Sequence, residues 1–192
     1  MRLNWFAGDG VASTRLLLPL LRQQAEVTVW ITEAGRGREL AAWAPVRHFR
    51  PGEVPWAEVN RADATVYHLD ADTAALARQH PGIVVLHQDG AVERALAVLT
   101  HSRAAFERLK AEACLPVVFV PSPLEQPEGA AECAAAVLRL TSEAGRYQAQ
   151  LLAHELAGRA ADELAAWMNA ATGRPDLRQV AQAIHEVTVG AA

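Results

Sequence analysis

The stretch Ile83-Val84-Val85-Leu86-His87 decides the fold, because four consecutive apolar residues end on a polar one. A continuous apolar run of this length is typical of a strand that is buried on both faces, as in a parallel sheet covered by helices. Similar runs occur within Val27–Thr32 and Val117–Val120. These three runs predict strands of an α/β fold.

Segments with helical periodicity alternate with these runs. The sequence predicts helices at Thr14–Gln24, Arg36–Trp43, Thr73–Gln79 and Ser102–Ala113. It predicts seven strands, at Leu3–Phe6, Val27–Thr32, Val46–Phe49, Ala64–Leu69, Ile83–His87, Ala97–Thr100 and Val117–Val120. This alternation indicates a doubly wound, mostly parallel, Rossmann-like sheet.

Short polar residues mark where the helices begin. Ser13 or Thr14 is expected to cap the first helix, Asp72 or Thr73 the third, and Ser102 the fourth. Their side-chain oxygens can accept hydrogen bonds from the free N–H groups of a first helical turn.

The segment Pro121–Pro127 contains three prolines and predicts an extended connector. Beyond it the pattern is helical, with helices expected at Glu132–Leu140 and Glu143–Ala171. We therefore expect a Rossmann-like domain over residues 1–124. A helical extension over residues 125–192 is expected to pack on that domain or on a partner.

Composition excludes several classes of protein. The chain has 192 residues and a formal net charge of −4, so no basic surplus favours a nucleic-acid partner. Cys114 and Cys133 lack metal-ligand spacing. The sequence shows no signal-peptide pattern and no apolar run of membrane-spanning length. These features predict a cytoplasmic protein without a transmembrane segment.

A glycine-containing turn, Gly8-Asp9-Gly10, follows the first predicted strand. Backbone N–H groups at such a turn can approach an anion at the helix N-terminus. Glu33 stands where a ribose-binding acid lies in a dinucleotide fold. However, Ser13 replaces the third glycine of that motif, and Asp9 puts a negative charge where a pyrophosphate would lie. The alternative is that the glycines only permit a tight turn.

Histidines and aspartates follow three successive strands of the predicted sheet. His68 and Asp70 end one strand, His87 and Asp89 the next, and His101 a third. The carboxyl ends of parallel strands meet at one edge, where doubly wound folds bind ligands. His87 with Asp89 is the candidate catalytic pair, acting as a general base. The candidate ligand-binding residues are Gly8, Asp9, Gly10, His68, Asp70 and His101. Imidazole and carboxylate groups of these residues can also bind a metal, but we assign no metal site. The alternative is that most of these residues only cap helices or form turns.

The order of these segments resembles a known family. The segments that carry the resemblance are the glycine turn, Leu16-Leu-Leu-Pro-Leu-Leu21, Ala25-Glu-Val-Thr-Val29, Ala64-Thr-Val-Tyr-His-Leu69, His80-Pro-Gly-Ile-Val-Val-Leu-His87, Val98-Leu-Thr-His-Ser102 and Pro116-Val-Val-Phe-Val-Pro121. This succession is similar to the N-terminal, acceptor-side domain of bacterial retaining glycosyltransferases with the GT-B fold, the glycosyltransferase group 1 type. The resemblance covers Met1 to about Leu124, and the helical tail resembles the C-terminal end of such enzymes.

The chain departs from that family in three places. Gln88 follows His87 where the family has aspartate and a long helical insertion, Asp9 lies in the turn that faces the donor phosphates, and the donor domain is missing. The resemblance thus implies a truncated glycosyltransferase-like protein that has lost the charge stabilisation of the leaving diphosphate. His87 alone, contributing about 10²–10⁴-fold as a general base, would not replace it.

Three hypotheses about function follow. The first is a non-catalytic binding, assembly or regulatory module without a cofactor, whose partner is a second copy or a full-length glycosyltransferase. The second is an active glycosyltransferase, or a subunit of one, that uses a nucleotide sugar with His87, Asp89 and His68. The third is a dinucleotide-binding regulator that uses Gly8, Gly10 and Glu33.

Overall fold

The computed structural model describes most of the chain. The described residues are 1–8, 10–32, 37–50, 52–87, 92, 94–112, 115–126, 128–149, 152, 155, 158–160 and 162. The chain divides into two compact units, Met1–Gln148 and Ala149–Ala192. All the strands described below belong to the first unit.

Seven strands form a single parallel sheet. They are β1 (Arg2–Phe6), β2 (Glu26–Ile31), β3 (Val46–His48), β4 (Ala64–His68), β5 (Ile83–Leu86), β6 (Ala97–Thr100) and β7 (Val117–Phe119). Their order across the sheet is β3-β2-β1-β4-β5-β6-β7, and every neighbouring pair is parallel. The predicted α/β fold with a doubly wound parallel sheet is confirmed, and all seven predicted strands are present.

Five helices of the first unit, within the described residues up to Ser142, cover the sheet. They are α1 (Val11–Leu21), α2 (Trp56–Val59), α3 (Ala71–Gln79), α4 (Arg103–Glu112) and α5 (Gly129–Ser142). The connection from β1 to β2 runs toward the β3 edge of the sheet. The connections from β3 to β4 and from β4 to β5 run the other way, toward the β7 edge. Since such crossovers are right-handed, α1 lies on one face and α2 and α3 lie on the other.

An aromatic cluster fills the face that carries α2 and α3. The rings of Phe6 and Trp30 stack at a centroid distance of 5.6 Å, and those of Phe6 and Tyr67 at 5.2 Å. Phe49 meets Phe6 edge-on at 5.1 Å. Val59, Leu76 and Leu109 bring α2, α3 and α4 onto this cluster. Phe6 therefore lies at the centre of this aromatic cluster.

The opposite face is covered by α1 and α5. Trp5, which alternates with Phe6 along β1, donates from its indole nitrogen to the Thr14 hydroxyl on α1 at 2.8 Å. Leu17 and Leu21 of α1 are fully buried, and α5 packs against both α1 and β6. The helix that follows the proline-rich connector thus lies on the sheet.

Two of the three predicted helix starts are wrong. Gly10 precedes α1, where the Thr14 hydroxyl accepts from Trp5 and the Ser13 hydroxyl donates to the Gly10 carbonyl. Asp70 caps α3, because its carboxylate accepts from the Thr73 backbone nitrogen at 2.7 Å. Ser102 does cap α4, through the Ala105 nitrogen at 3.2 Å.

The second predicted helix is also wrong over its described part. Residues 37–43 form successive turns, with the nitrogens of Leu40 and Ala41 both bonded to the Gly37 carbonyl. Of the predicted helix Glu143–Ala171, residues 144–149, 152, 155, 158–160 and 162 are described and helical, whereas Cys114 lies outside the described residues. Within the described part of the chain, no helix has the length and apolar character needed to cross a membrane.

Candidate functional site

The site lies at the carboxyl edge of the sheet, between β1 and β4. These strands are neighbours, and their side chains run in register from Leu3 with Ala64 to Phe6 with Tyr67. From β1 the chain passes to α1 on one face, and from β4 it passes to α3 on the other. The two connections leave toward opposite faces, which makes this edge the topological switch point, and sheets of this type bind ligands in the crevice expected there.

The glycine turn packs directly on the end of β4. A Cβ atom at Gly8 would stand 2.5 Å from the His68 carbonyl oxygen and 2.9 Å from an Asp70 carboxylate oxygen. Gly8 also has a φ of +47°, a backbone conformation that favours glycine. A Cβ atom at Gly10 would overlap the His68 imidazole. Both glycines are therefore required by the protein's own packing, whether or not a ligand binds.

The N-terminus of α1 faces this crevice without a side-chain cap from the described residues. The Gly10 nitrogen bonds the Ala7 carbonyl at 2.7 Å, and the Thr14 nitrogen bonds the Gly10 carbonyl at 2.8 Å. The N–H groups of Val11, Ala12 and Ser13 precede the first intrahelical bond. Such groups carry partial positive charge and can bind an anion.

Asp70 supplies a carboxylate at the Gly8 side of the crevice. One of its oxygens accepts from the Thr73 nitrogen at 2.7 Å and lies 2.8 Å from the Thr73 hydroxyl oxygen. The other is the oxygen nearest to Gly8. A phosphate would be repelled at this position, so an anion has better electrostatic conditions at Gly10 and the first turn of α1.

Three histidine rings form a row along the ends of β4, β5 and β6. The ring centroids of His68 and His87 are 5.1 Å apart, and those of His87 and His101 are 4.9 Å apart. The Nδ1 atom of His68 lies 3.0 Å from the Nε2 atom of His87, so one hydrogen is shared between them. We call His68, His87 and His101 the histidine row.

Burial keeps two members of this row uncharged. His68 is fully buried, which lowers its pKa well below the ordinary value, and the neighbouring His87 and His101 lower it further. Burial also lowers the pKa of His101, against opposing effects of the Val120 carbonyl, Glu125 and Pro121. These rings are therefore neutral at physiological pH, and they offer hydrogen-bonding groups rather than positive charge.

The structure brings together six of the eight residues predicted for the site. Gly8 and Gly10 meet His68 and Asp70, while His87 lies between His68 and His101. Asp9, Asp89 and also Glu33 lie outside the described residues, so the His87–Asp89 pair stays a prediction. Among the described residues, no group of three histidine, cysteine, aspartate or glutamate side chains is arranged to hold a metal ion.

Sequence reasoning named Thr73 only as a possible helix cap and missed that it links the parts of the site. Its hydroxyl donates to the His68 carbonyl at 2.5 Å and accepts from the Asp70 nitrogen at 2.9 Å. Thr73 thus ties the end of β4 to the first turn of α3. The signal was present in the sequence, because a capping residue followed by a polar residue three positions later indicates a capping box.

Comparison with known proteins gives two solved structures and no family. No protein-family model and no curated protein matches the chain. One similar structure is the Lmo0794 protein of Listeria monocytogenes, at 18% identity over 72% of this chain and 91% of that chain, with a TM-score of 0.42. Another is a variant imine reductase of Myxococcus stipitatus in complex with NAD+, at 17% identity over 100% of this chain and 72% of that chain, with a TM-score of 0.34.

The identification as a glycosyltransferase is therefore wrong. No family model supports it, and the matching structures named above are a reductase with NAD+ and a Listeria protein whose name gives no activity. The description as a truncated enzyme without its donor half falls with it, as does the alternative of an active glycosyltransferase. The error has a physical reason: buried strands that alternate with helices are common to many Rossmann-like folds, and fold alone does not determine function.

Proposed function

We propose that this chain is a nucleotide-binding protein whose site is the crevice outside the strand ends, bordered by the glycine turn and the end of β4. The ligand class is a nucleotide that carries phosphate, and an adenine dinucleotide is the form to test first. This proposal develops the third hypothesis drawn from the sequence, a dinucleotide-binding regulator. The observation that carries the proposal is the strand order β3-β2-β1-β4, with an α1 N-terminus at the switch point that no side chain of the described residues caps.

The strand order supports the choice of ligand class. A sheet in which β1 and β4 are central neighbours has its crevice where the chain reverses its direction of winding, and such sheets bind dinucleotides there. In this chain the β1–α1 connection contains Gly8 and Gly10, and the β4–α3 connection begins with His68 and Asp70.

The electrostatics of the crevice support a particular orientation. The N–H groups that begin α1 attract phosphate, whereas the Asp70 carboxylate beside Gly8 repels it. We therefore propose that phosphate binds at Val11 and Ala12, and that a hydroxyl-bearing part of the ligand faces Asp70. His87, half-buried beside His68, is the candidate for hydrogen bonding or proton transfer at the same edge.

Calorimetric titration with NADH, NADPH and adenosine tests this proposal. The decisive variant is Ala12→Asp, because Ala12 is exposed on the first turn of α1 and a carboxylate there is favourable for the helix but repels phosphate. We expect saturable binding of NADH or NADPH to the wild-type chain and binding at least about tenfold weaker in the variant.

The control is Ala12→Asn, which has a similar shape without the charge, and it should bind nearly as the wild type does. Absence of binding to the wild-type chain contradicts the proposal, and so does equal weakening in both variants. Self-association, expected from the sequence, stays a prediction that light scattering on the same samples tests.

A further inference from the structure

The histidine row has a property that nucleotide binding does not require. Its hydrogen bonds can be assigned from chemistry: the Val120 carbonyl only accepts, so the Nδ1 atom of His101, 2.9 Å away, carries a hydrogen. The Nε2 atoms of His68 and His101 are buried without a hydrogen-bond partner among the described residues.

The same reasoning fixes the hydrogen between His68 and His87. A buried N–H without a partner is rarer than a buried unpaired acceptor, so the Nε2 atom of His68 carries the lone pair. The Nδ1 atom of His68 then carries the hydrogen and donates to the Nε2 atom of His87, 3.0 Å away. At neutral pH one nitrogen of the pair therefore donates and the other accepts, so the contact between the two rings is a complete hydrogen bond.

An added proton has no favourable position in this pair. On the Nε2 atom of His87 it would face the hydrogen of His68 Nδ1 across 3.0 Å. On the Nε2 atom of His68 it would create a charged N–H in a fully buried position. A shift of the His68 hydrogen from Nδ1 to Nε2 would keep the contact but would leave a buried N–H without a partner among the described residues. Each outcome therefore removes the contact, leaves a buried N–H unpaired or buries a charge on His68, and each is costly.

The glycine turn is in direct contact with this pair. The His68 ring leaves no room for a Cβ atom at Gly10, and the Trp5 ring lies beside the His68 ring at a centroid distance of 4.9 Å. Displacement of the His68 ring therefore moves the backbone between Gly8 and α1. Interiors packed this closely respond to small shifts by rearranging neighbouring groups.

We propose that the His68–His87 pair is a pH-sensitive latch that holds the glycine turn in place at neutral pH and releases it on acidification. The expected effect on nucleotide affinity rests on the proposed nucleotide site. The pH response of the latch is a property of the protein without a ligand. Release of the turn lowers nucleotide affinity, and by reciprocity a bound nucleotide opposes proton uptake.

Among the described residues, the titratable groups on either side of the pair can be named. Asp70 lies on the α3 side, where Thr73 occupies one of its oxygens. His101 lies on the β6 side, and Glu125 acts on His101 from the β7–α5 connection by raising its pKa. Burial nevertheless lowers the pKa of both His68 and His101. In the folded state both rings therefore take up a proton only at a lower pH than an ordinary histidine does.

The direction of the pH effect follows from these pKa shifts. Above about pH 6.5 histidine is neutral in both the folded and the unfolded chain, and the latch contributes fully to stability. As the pH falls below this value, the unfolded chain takes up protons that the folded chain does not. The unfolding equilibrium constant should then rise by up to about tenfold per pH unit for each such histidine.

Thermal unfolding of the free protein between about pH 7.5 and about pH 5.5 tests the latch. We expect the wild-type Tm to fall by about 3 to 6 °C per pH unit and per histidine below pH 6.5. His68→Asn should flatten this dependence, whereas His48→Asn, which changes an exposed residue of β3, should leave it unchanged. A wild-type Tm that is constant over this range overturns the proposal, as does a slope that is the same in all three proteins.

Two further measurements keep the test decisive. If His68→Asn does not fold, NMR titration of the wild-type histidine rings replaces it, and a His68 ring that titrates near pH 6.5 overturns the latch. Calorimetry with NADH at both ends of the pH range should show affinity at least about tenfold lower at the acidic end. If NADH does not bind at either pH while the Tm still depends on pH, the nucleotide proposal fails and the latch stands.

Discussion

Tyr67 and His68 are adjacent residues of β4, yet they belong to two different regions of the molecule. Tyr67 lies in the aromatic cluster, stacked on Phe6, whereas His68 lies against Gly10 and Trp5 on the other face. Both side chains are fully buried. The aromatic cluster is held by apolar contact, and the histidine row is held by hydrogen bonds that depend on protonation.

This difference shows that burial alone does not describe a region. A cluster of rings is stabilised by the area that it removes from water, and this contribution does not change with pH. A buried pair of titratable groups is stable only in one protonation state. The two regions should therefore respond differently to mutation and to acid.

The largest effect should come from the aromatic cluster. Phe6→Ala removes a buried ring that contacts Trp30, Phe49 and Tyr67, and should lower the free energy of unfolding by about 3 to 5 kcal/mol. Urea denaturation measures this loss, which should be equal at neutral and mildly acidic pH. Phe119→Ala, on the half-buried edge strand β7, is the control and should lose less. Equal losses in the two variants would contradict the central position of Phe6.

A smaller effect is expected at the contact between the glycine turn and the histidine row. Gly10→Ala places a Cβ atom where the His68 ring stands, so one of the two must move. The expected loss is about 1 to 3 kcal/mol, because overpacking is relieved by local shifts.

Gly52→Ala is the matched control, since nothing lies within 4 Å of its added Cβ atom. Its unfolding free energy should stay within about 0.5 kcal/mol of the wild type. If both glycine variants have the stability of the wild type, the turn does not pack on His68 as described.

The smallest effect should come from the cap that joins β4 to α3. Asp70→Ala removes the acceptor for the Thr73 nitrogen and should cost about 0.5 to 2 kcal/mol, whereas Asp70→Ser retains a capping oxygen and should recover most of it. Urea denaturation of the three proteins distinguishes these cases. A serine variant as unstable as the alanine variant would assign the loss to the charge of Asp70 rather than to its cap.

The sheet could be predicted from the sequence because each buried strand is a short run of apolar residues, which is visible in the local sequence alone. Ile83–Leu86 is buried at every position, as its continuous apolar run indicates. The turns at 37–43 could not be predicted in the same way. Leu40 is apolar and fully buried, so it satisfies a helical pattern while the backbone forms separate turns around Gly37.

The site could be predicted in its position but not in its contacts. That His68, His87 and His101 lie at one edge follows from the parallel sheet alone. That His68 is buried beneath Gly10 depends on the packing of α1 against β4, which no local pattern contains. The helix starts show the same limit, because Thr14 has a capping side chain but uses it to accept from Trp5.

The resemblance to glycosyltransferases failed for a related reason. The segments that carry it follow the order of strands and helices in a Rossmann-like fold, and that order is confirmed. They do not specify a ligand, because the residues that select one lie in the connections at the carboxyl edge. Function must therefore be argued from Gly10, Asp70 and the start of α1.

Backbone NMR with added NADH tests the central claim most directly, because it reports where a nucleotide binds. We expect the amide signals of Gly8, Gly10, Val11 and Ala12 to shift on titration, while that of Val59, on the face of the aromatic cluster, stays unchanged. Shifts confined to residues away from the glycine turn, or no shifts with any adenine nucleotide, would contradict the account.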